Sequence, residues 1–524
     1  MICVTLGRTR HKMMIAEHRA LAERGAELVE LRVDWIPRGL RMDRLLKDRP
    51  TPVIVTCRRP DDGGRFSDTE QKRLTILREA IMAGVEYVDL EEDIAKSIPR
   101  YGTTKRIVSY HDFEKTPDDL EEIHGRLCEC DPDIVKIVTM ADSPADNIRM
   151  LRLVENAKVP TIGFCMGEYG VVSRILCGKY GSPFTYATFS KERVMAPGQL
   201  SFEEMKKMYR YDNIDKETAV FGVLGDPIGH SWSPILHNAA FKNMQMNAVY
   251  LPLRVAEEEF EETLNAYEFL NVHGYSVTIP HKQAALEFAD KSDEATQEIG
   301  AANTLVKSKS GNWHAKNTDF DAAMDAIKLG LKAKGDTSLN GKRVLILGAG
   351  GVAQAIGLGT TQEGCVVTLA NRSKSRGLSL AEDLNCQHVT WGNRGSVGTD
   401  ILVNCTPVGM YPEMNASPFE EHWFHEGMVV FDTIYNPENT LLLKNAKKRD
   451  CYTVSGIEMF IRQAAAQFKY FTGKDASLED LRTTLRRAIS PVRIKTDSGH
   501  ATPSEQASKS ETTQEKADTS EDLE

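Results

Sequence analysis

Residues 342–353 read KRVLILGAGGVA. The first six form a compact apolar run of strand type, and the last six are rich in glycine. A strand running into Gly348-Ala349-Gly350-Gly351-Val352-Ala353, with a helix opening behind it, is the G-x-G-x-x-A pattern in its strand–turn–helix setting. The glycines permit a tight turn and a close approach of backbone to a pyrophosphate, and the helix N-terminus offers that anion its free N–H groups. The stretch predicts a doubly wound Rossmann lobe that holds a dinucleotide. The next strand, VVTLAN at 366–371, ends in Asn371-Arg372-Ser373-Lys374. A site selective for NAD carries an acid there for the ribose hydroxyls. Arg372, with Lys374 close by, suits an adenosine 2′-phosphate and favours NADP(H). The plainer reading is a basic surface turn.

Upstream, residues 219–241 read AVFGVLGDPIGHSWSPILHNAAF: a strand, a Gly/Pro turn and a helix start. Ser231 and Ser233 sit in the turn, where hydroxyls and N–H groups suit a carboxylate or simply cap the helix. VTIPHK (277–282), GAANTLV (300–306) and NTDFDA (317–322) place Thr278, Lys282, Asn303 and Asp319 at loops or strand ends. Taken singly, a lysine or aspartate there is solvated surface. Converging on one alcohol, the two would move a proton during hydride chemistry.

The first 215 residues have a different rhythm. Apolar runs rich in Val, Ile and Thr occur at 2–6, 28–33, 52–57, 87–91, 106–111, 133–138, 161–166 and 184–189. Amphipathic stretches such as 69–83, 117–129 and 145–156 lie between them. Eight strands with intervening helices predict a (β/α)8 TIM barrel, with a doubly wound open sheet as the alternative. Polar residues fall within or at the ends of the runs: Glu30, Arg32, Arg58, Glu91, His111 and Lys136. Barrel active sites gather at the C-terminal ends of strands. Lys136 lies inside DIVKIV and must be paired wherever it points. It reads either as an ion-paired structural lysine or as an amine ready to form a Schiff base. His111 reads as a satisfied core histidine or a proton shuttle.

The chain has 524 residues with 41% hydrophobic and 27% charged, an ordinary soluble globular composition. A net charge of −10 argues against general nucleic-acid binding. No apolar run reaches the roughly 18 residues of a membrane-spanning helix. The N-terminus turns polar after six residues, so neither a signal nor a transit peptide is expected. Ten cysteines without a CxxC pair read as reduced cytoplasmic thiols, and no structural zinc or other metal is expected. Residues 496–524 hold eight acidic residues, two lysines and one large aliphatic, Leu523. The tail, taken from 491, is expected to be disordered.

Two resemblances then stand out. Glu30-Leu31-Arg32-Val33-Asp34, Ser109-Tyr110-His111-Asp112, Lys136, Met166-Gly167 with Ser173-Arg174, and Ala196-Pro197-Gly198-Gln199 resemble the type I 3-dehydroquinate dehydratases. The resemblance implies a barrel over residues 1–215 that converts 3-dehydroquinate to 3-dehydroshikimate. Lys136 would form the Schiff base, His111 would shuttle the proton, and Glu91 would orient His111. Arg174, helped by Arg58, would bind the ring carboxylate; Glu30, Arg32 and Gln199 would hold hydroxyls. The family often has Ser where Met195 stands, so a weaker lid or substrate contact is expected.

Residues 218–487 resemble the shikimate dehydrogenases. The resemblance rests on Gly229-His230-Ser231, Ser233-Pro234, Val277-Thr278, Pro280, Lys282, Ala302-Asn303-Thr304 and Asn317-Thr318-Asp319. It continues through the glycine loop, Asn371-Arg372, Asn404-Cys405-Thr406-Pro407, Gly409-Met410, Asp432, Tyr435-Asn436-Pro437, Gly456, Met459 and Gln463. It implies a substrate lobe over 218–318, completed by helices at 457–487, and a Rossmann lobe over 319–456. Lys282 and Asp319 would be the catalytic pair, and Ser231 and Ser233 would bind the carboxylate. Thr278, Asn303, Tyr435 and Gln463 would line the substrate pocket. Val352, Ala353, Asn371, Arg372, Thr406 and Met410 would line the cofactor cleft. The implied partners are small molecules (3-dehydroquinate, 3-dehydroshikimate and shikimate), with no nucleic acid and no membrane. Two alternatives stay open. One is a second half that prefers quinate or NAD. The other is a metabolite-sensing regulator without turnover, whose nearest DNA-binding signal, Arg482–Arg487, reads better as a helix surface.

Overall fold

A computed structural model describes residues 1–489. The expected acidic tail, 491–524, lies outside the described residues. The first eight strands are β1 (Ile2–Leu6), β2 (Leu28–Arg32), β3 (Val53–Thr56), β4 (Tyr87–Glu91), β5 (Lys105–Asp112), β6 (Ile134–Met140), β7 (Thr161–Met166) and β8 (Thr185–Thr188). They pair in parallel in the order β7-β6-β5-β4-β3-β2-β1-β8, with helices in the connections. The expected helices appear at Glu70–Met82, Leu120–Cys128 and Pro144–Asn156.

Inward-facing residues of all eight strands meet in one volume, which makes the sheet a barrel. Thr5 of β1 and Thr56 of β3 donate to Glu30 of β2 at 2.8 and 2.7 Å. Asp89 of β4 accepts from Ser109 of β5 at 2.7 Å and from Lys136 of β6 at 2.9 Å. Tyr186 of β8 lies under the Lys136 ammonium and packs against Phe164 of β7. No backbone ladder joins β7 to β8 among the described residues. That seam is spanned by the Phe164–Tyr186 ring contact and by Thr185 donating through its hydroxyl to the Arg174 carbonyl at 2.8 Å.

A second sheet holds β9 (Ala219–Gly225), β10 (Ala248–Arg254), β11 (Val272–Val277), β12 (Lys291–Ser292), β13 (Thr304–Lys307) and β14 (Trp313–Lys316), in the order β10-β9-β11-β13-β14-β12. A third holds β15 (Arg343–Leu347), β16 (Val366–Asn371), β17 (Gln387–Thr390), β18 (Ile401–Asn404), β19 (Val429–Asp432) and β20 (Tyr452–Val454). Its order, β17-β16-β15-β18-β19-β20, is all parallel and corresponds to the 3-2-1-4-5-6 arrangement of dinucleotide-binding sheets. The strand order reverses between β15 and β18, and ligands of such sheets bind outside the carboxyl ends of the strands at that point.

The helices Gly456–Thr472 and Leu478–Ile489 leave the third sheet and pack on the second. Their Ile457, Ile461, Phe468, Leu481 and Leu485 share one buried cluster with Phe221, Leu236 and Phe241. Arg482 and Arg486 are held on that helical surface by Glu458 and Glu438.

Gly348 carries the turn after β15. Its φ is +116°, and a Cβ there would lie 2.9 Å from the Cys405 carbonyl oxygen at the head of the β18 loop. Gly348→Ala is expected to cost about 1–3 kcal/mol through backbone strain and this clash. Thermal unfolding should report the loss in the lobe built on the third sheet, whose core is separate from the cluster that the barrel shares with the second sheet.

Candidate active sites in the barrel and the cleft

At the barrel centre Asp89 is fully enclosed and binds two cations. Its Oδ1 accepts from Arg58 Nη2 at 2.6 Å and its Oδ2 from Lys136 Nζ at 2.9 Å. Burial works against its charge, but Arg58 and then Lys136 outweigh it and hold the carboxyl well below the usual range. The second amino group of Arg58, Nη1, lies 2.6 Å from His111 Nε2. A guanidinium only donates, so Nε2 is the acceptor and the ring proton sits on Nδ1. Burial, then Arg58 and Lys136, lower the His111 pKa well below its ordinary value. The imidazole is therefore a neutral base at neutral pH, joined to Lys136 through the chain His111–Arg58–Asp89–Lys136.

This corrects the expectation for Glu91. No hydrogen bond joins Glu91 to His111. Its Oε2 instead accepts from Arg73 Nη1 at 2.6 Å, and its Oε1 lies 3.5 Å from Arg58 Nε. Arg73 is itself fully buried and also binds Glu70. Glu91 thus supports Arg58, and Arg58 supports His111. Arg58, expected to help bind a carboxylate, is engaged by Asp89 and His111, while its Nε makes no hydrogen bond.

Arg174 differs from the other barrel cations. It is 2% exposed, stacks over Phe164 at 4.3 Å, and forms no ion pair among the described residues; its Nε has no partner. Burial lowers its pKa to about 10. Glu30 and Arg32 are occupied, the first by Thr5, Thr56 and more distantly Lys136, the second by a two-pronged pair with Asp34. Gln199 accepts from the Met195 N–H at 3.0 Å. A Cβ on Gly7 would come within 2.7 Å of Trp35 and 2.9 Å of the Met195 methyl, so the methionine rests beside the indole.

In the second half a cleft of about 320 Å³ opens between the two lobes. Ser231, Ser233, Thr278, Lys282, Asn303, Asp319, Tyr435 and Gln463 all line it, together with Val352 of the glycine loop. Lys282 Nζ donates to Asp319 Oδ2 at 2.6 Å. Local capping aims the acid, since Asn317 accepts from the Asp319 and Phe320 N–H groups at the start of the helix Thr318–Ala333. Asn303 fixes the same turn by accepting from the Thr318 N–H at 2.8 Å.

The residues expected to meet the cofactor gather at the carboxyl ends of β15, β16 and β18. Gly350 caps the helix Gly351–Gln362, and Gly350 and Gly351 face open space where a side chain would stand. Asn371 donates to the Ser373 carbonyl at 2.9 Å, and Ser373 precedes the helix that Lys374 opens. Arg372 and Lys374 are exposed and, among the described residues, form no ion pair. Ala349 and Ala353 pack on the lobe's core, Thr406 is held by Asn404, and Met410 is 45% exposed. An open glycine cradle, a free helix N-terminus and a free guanidinium fit a dinucleotide with a 2′-phosphate.

Several residues escaped the sequence reading. Asp89 shares a strand face with Glu91 by simple alternation and sits one pleat deeper. Gln467 stands one helical turn beyond Gln463; it accepts from Ser276 and donates to the Asn303 carbonyl and the Thr304 hydroxyl. Among the described residues no cluster of His, Cys, Asp or Glu could hold a metal ion, and no helix is long and apolar enough to cross a membrane.

Fold and sites define a two-enzyme α/β chain, a barrel with a buried lysine joined to a two-lobed nucleotide-dependent dehydrogenase. Comparison with known proteins is specific. Residues 2–216 match the type I 3-dehydroquinase family, 223–305 the shikimate dehydrogenase substrate binding domain, and 456–486 the shikimate 5′-dehydrogenase C-terminal domain. A chloroplastic bifunctional 3-dehydroquinate dehydratase/shikimate dehydrogenase of Arabidopsis thaliana is 37% identical over 502 residues, 91% of this chain and 83% of that protein. The shikimate dehydrogenase (NADP(+)) of Methanothermobacter thermautotrophicus is 38% identical over 286 residues, 53% of this chain and 99% of that one. A solved shikimate 5-dehydrogenase from Thermus thermophilus, in complex with NADP(H) and shikimate, is 31% identical and covers 52% of this chain and 99% of that one, with a TM-score of 0.47. The chain belongs to the bifunctional 3-dehydroquinate dehydratase/shikimate dehydrogenase family.

The His111 geometry has a direct test. In a ring-labelled protein followed by NMR, His111 is expected to stay neutral from pH 8 down to about 6, where an unperturbed imidazole is largely protonated. Arg58→Gln removes the nearest cation and should raise its titration midpoint.

Proposed function

We propose that the two sites act in series: the barrel dehydrates 3-dehydroquinate to 3-dehydroshikimate, and the cleft reduces that product to shikimate with NADPH. The observation that carries the barrel reading is Arg174. A buried guanidinium without a counter-ion is costly, and a substrate carboxylate supplies the missing charge. With the carboxylate on Arg174, the Lys136 amine attacks the ring ketone and forms a protonated imine. His111 removes the proton next to the imine carbon, and the electron pair flows to the imine nitrogen. The pair then returns to expel the β-hydroxyl, which takes the proton from His111 and leaves as water. Asp89 keeps the nitrogen near a counter-charge throughout, and Glu91 acts at one remove through Arg58. Glu30, Arg32 and Gln199 border the hydroxyl side of the ring.

In the cleft, Ser231 and Ser233 receive the carboxylate, while Thr278, Asn303, Tyr435 and Gln463 line the ring. NADPH, when bound, supplies the hydride. Lys282, held by Asp319, delivers the proton to the forming alkoxide. The glycine loop from Gly348 to Ala353 would cradle the pyrophosphate. Asn371, Arg372, Ser373 and Lys374 would surround the 2′-phosphate, and Thr406 and Met410 would border the nicotinamide side. The intact Lys136, His111, Lys282 and Asp319 favour turnover over a sensing role, and Arg372 favours NADP over NAD. A cytoplasmic location fits ten unpaired thiols.

Lys136→Ala is expected to abolish dehydration and leave shikimate oxidation intact, measured by enone absorbance and NADPH formation on one preparation. Loss of both activities would break the reading of two separate sites. Arg372→Ala should raise the KM for NADPH about tenfold or more and leave that for NADH nearly unchanged. Equal effects on both would remove the 2′-phosphate role.

A further inference from the structure

We propose that Tyr186 is a catalytic residue of the dehydration, its ring face holding the nitrogen of Lys136 in its cationic, iminium form; this rests on the Lys136 assignment above. Lys136 Nζ stands 4.3 Å from the centre of the Tyr186 ring, inside the range in which a cation is drawn to an aromatic face. The ring is 4% exposed, so little water competes with that attraction. Its position is fixed from two sides, tilted against Phe164 at 6.1 Å and against Phe184 at 5.8 Å. The Tyr186 hydroxyl is buried without a hydrogen-bond partner. No bond made by the oxygen therefore accounts for the residue, whereas its electron release makes the ring face more negative than that of phenylalanine.

The bond changes show which step the ring favours. The Lys136 lone pair forms the C–N bond while the carbonyl π pair moves to oxygen. One N–H proton passes to that oxygen, giving a neutral carbinolamine. With one further proton from solvent the oxygen leaves as water, and the nitrogen pair forms C=N with the positive charge on nitrogen. Asp89 on one side and the Tyr186 face on the other favour that cation over its neutral precursor. The effect is distinct from filling the barrel, because it depends on the electron density of the ring and not on its shape.

The test traps the imine. Full-length protein is mixed with 3-dehydroquinate and borohydride, and the fraction of Lys136 carrying the reduced adduct is measured by mass spectrometry. Tyr186→Phe keeps the face and should retain most of the adduct. Tyr186→Leu should lower it about tenfold, the scale of a desolvated cation–π contact. Shikimate oxidation by the same preparation checks that the chain is folded. Since leucine also alters packing, a second series places phenylalanine with one, two and three ring fluorines at position 186. The adduct fraction and kcat should fall stepwise with fluorination at constant shape. A flat response, or a wild-type adduct fraction in Tyr186→Leu, overturns the role of the ring. A wild-type protein with no adduct on Lys136 overturns the Lys136 assignment itself, and this proposal with it.

Discussion

The barrel depends on one buried carboxylate. Asp89 has no exposed side-chain surface and is surrounded by Arg58, Lys136 and Ser109. Taking such charges out of water costs several kcal/mol per ion, and the cost is met only where the geometry is good and every remaining lone pair is used. Here Asp89 takes charge-assisted bonds on both oxygens. In return it fixes the two groups to which the proposed chemistry is assigned, Lys136 directly and His111 through Arg58. Lys136 is held at the barrel axis, and Arg58 is aimed so that its other amino group meets His111. A lysine that must shed and regain a proton needs a nearby anion that does not move, and a carboxyl held well below the usual range stays charged through the cycle.

The second half solves a different problem. It must admit a large cofactor and a small polyol and then bring them together. The cofactor end is made of backbone, with glycines and a helix start at the strand-order reversal. The substrate end is made of side chains from the other lobe. The helix Gly456–Thr472 connects the two, since it begins at the end of β20 and carries Gln463 and Gln467 into the cleft. Gln467 then ties Ser276 of β11 to the Asn303 turn. Tyr250 extends the same chain by donating to Ser276 at 2.5 Å, so the cleft wall continues into the core of the substrate lobe.

Much of this was legible in the sequence, for physical reasons that differ along the chain. Barrel strands are buried on both faces and read as short apolar runs, so all eight could be placed. The glycine loop was legible because its backbone geometry admits little else. The cleft residues were legible through short motifs that carry the family resemblance, with Lys282 and Asp319 at helix starts and Ser231 and Asn303 in the loops. The contacts across the barrel were not. Whether Glu91 or Asp89 meets a lysine depends on how far each strand is staggered in the closed ring, and no local pattern carries that. The resemblance implied a carboxylate contact for Arg58, but its bonds to Asp89 and His111 depend on the same stagger. Tyr186, inside the run 184–189, carries no local signal of its own for the same reason.

The two halves are also joined more closely than the motif boundaries suggest. One continuous hydrophobic cluster runs from barrel residues such as Leu176 and Phe184 to Val220, Leu251 and Leu270 of the substrate lobe. Tyr180 stacks on Phe269 at 5.0 Å, and Lys179 reaches the carbonyls of Lys216 and Thr218. Arg254, at the end of β10, pairs with both Glu168 and Asp226. Glu168 follows Gly167, whose N–H donates to Pro197 of the barrel lid, and Asp226 precedes Pro227, which lines the cleft. The ion pairs are half-exposed and of small individual worth. The apolar core therefore sets the relative position of the two sites, and the arginine only registers the lid loop against the cleft rim. A fusion with a shared core holds the barrel against the substrate lobe, a constraint that a flexible linker cannot impose.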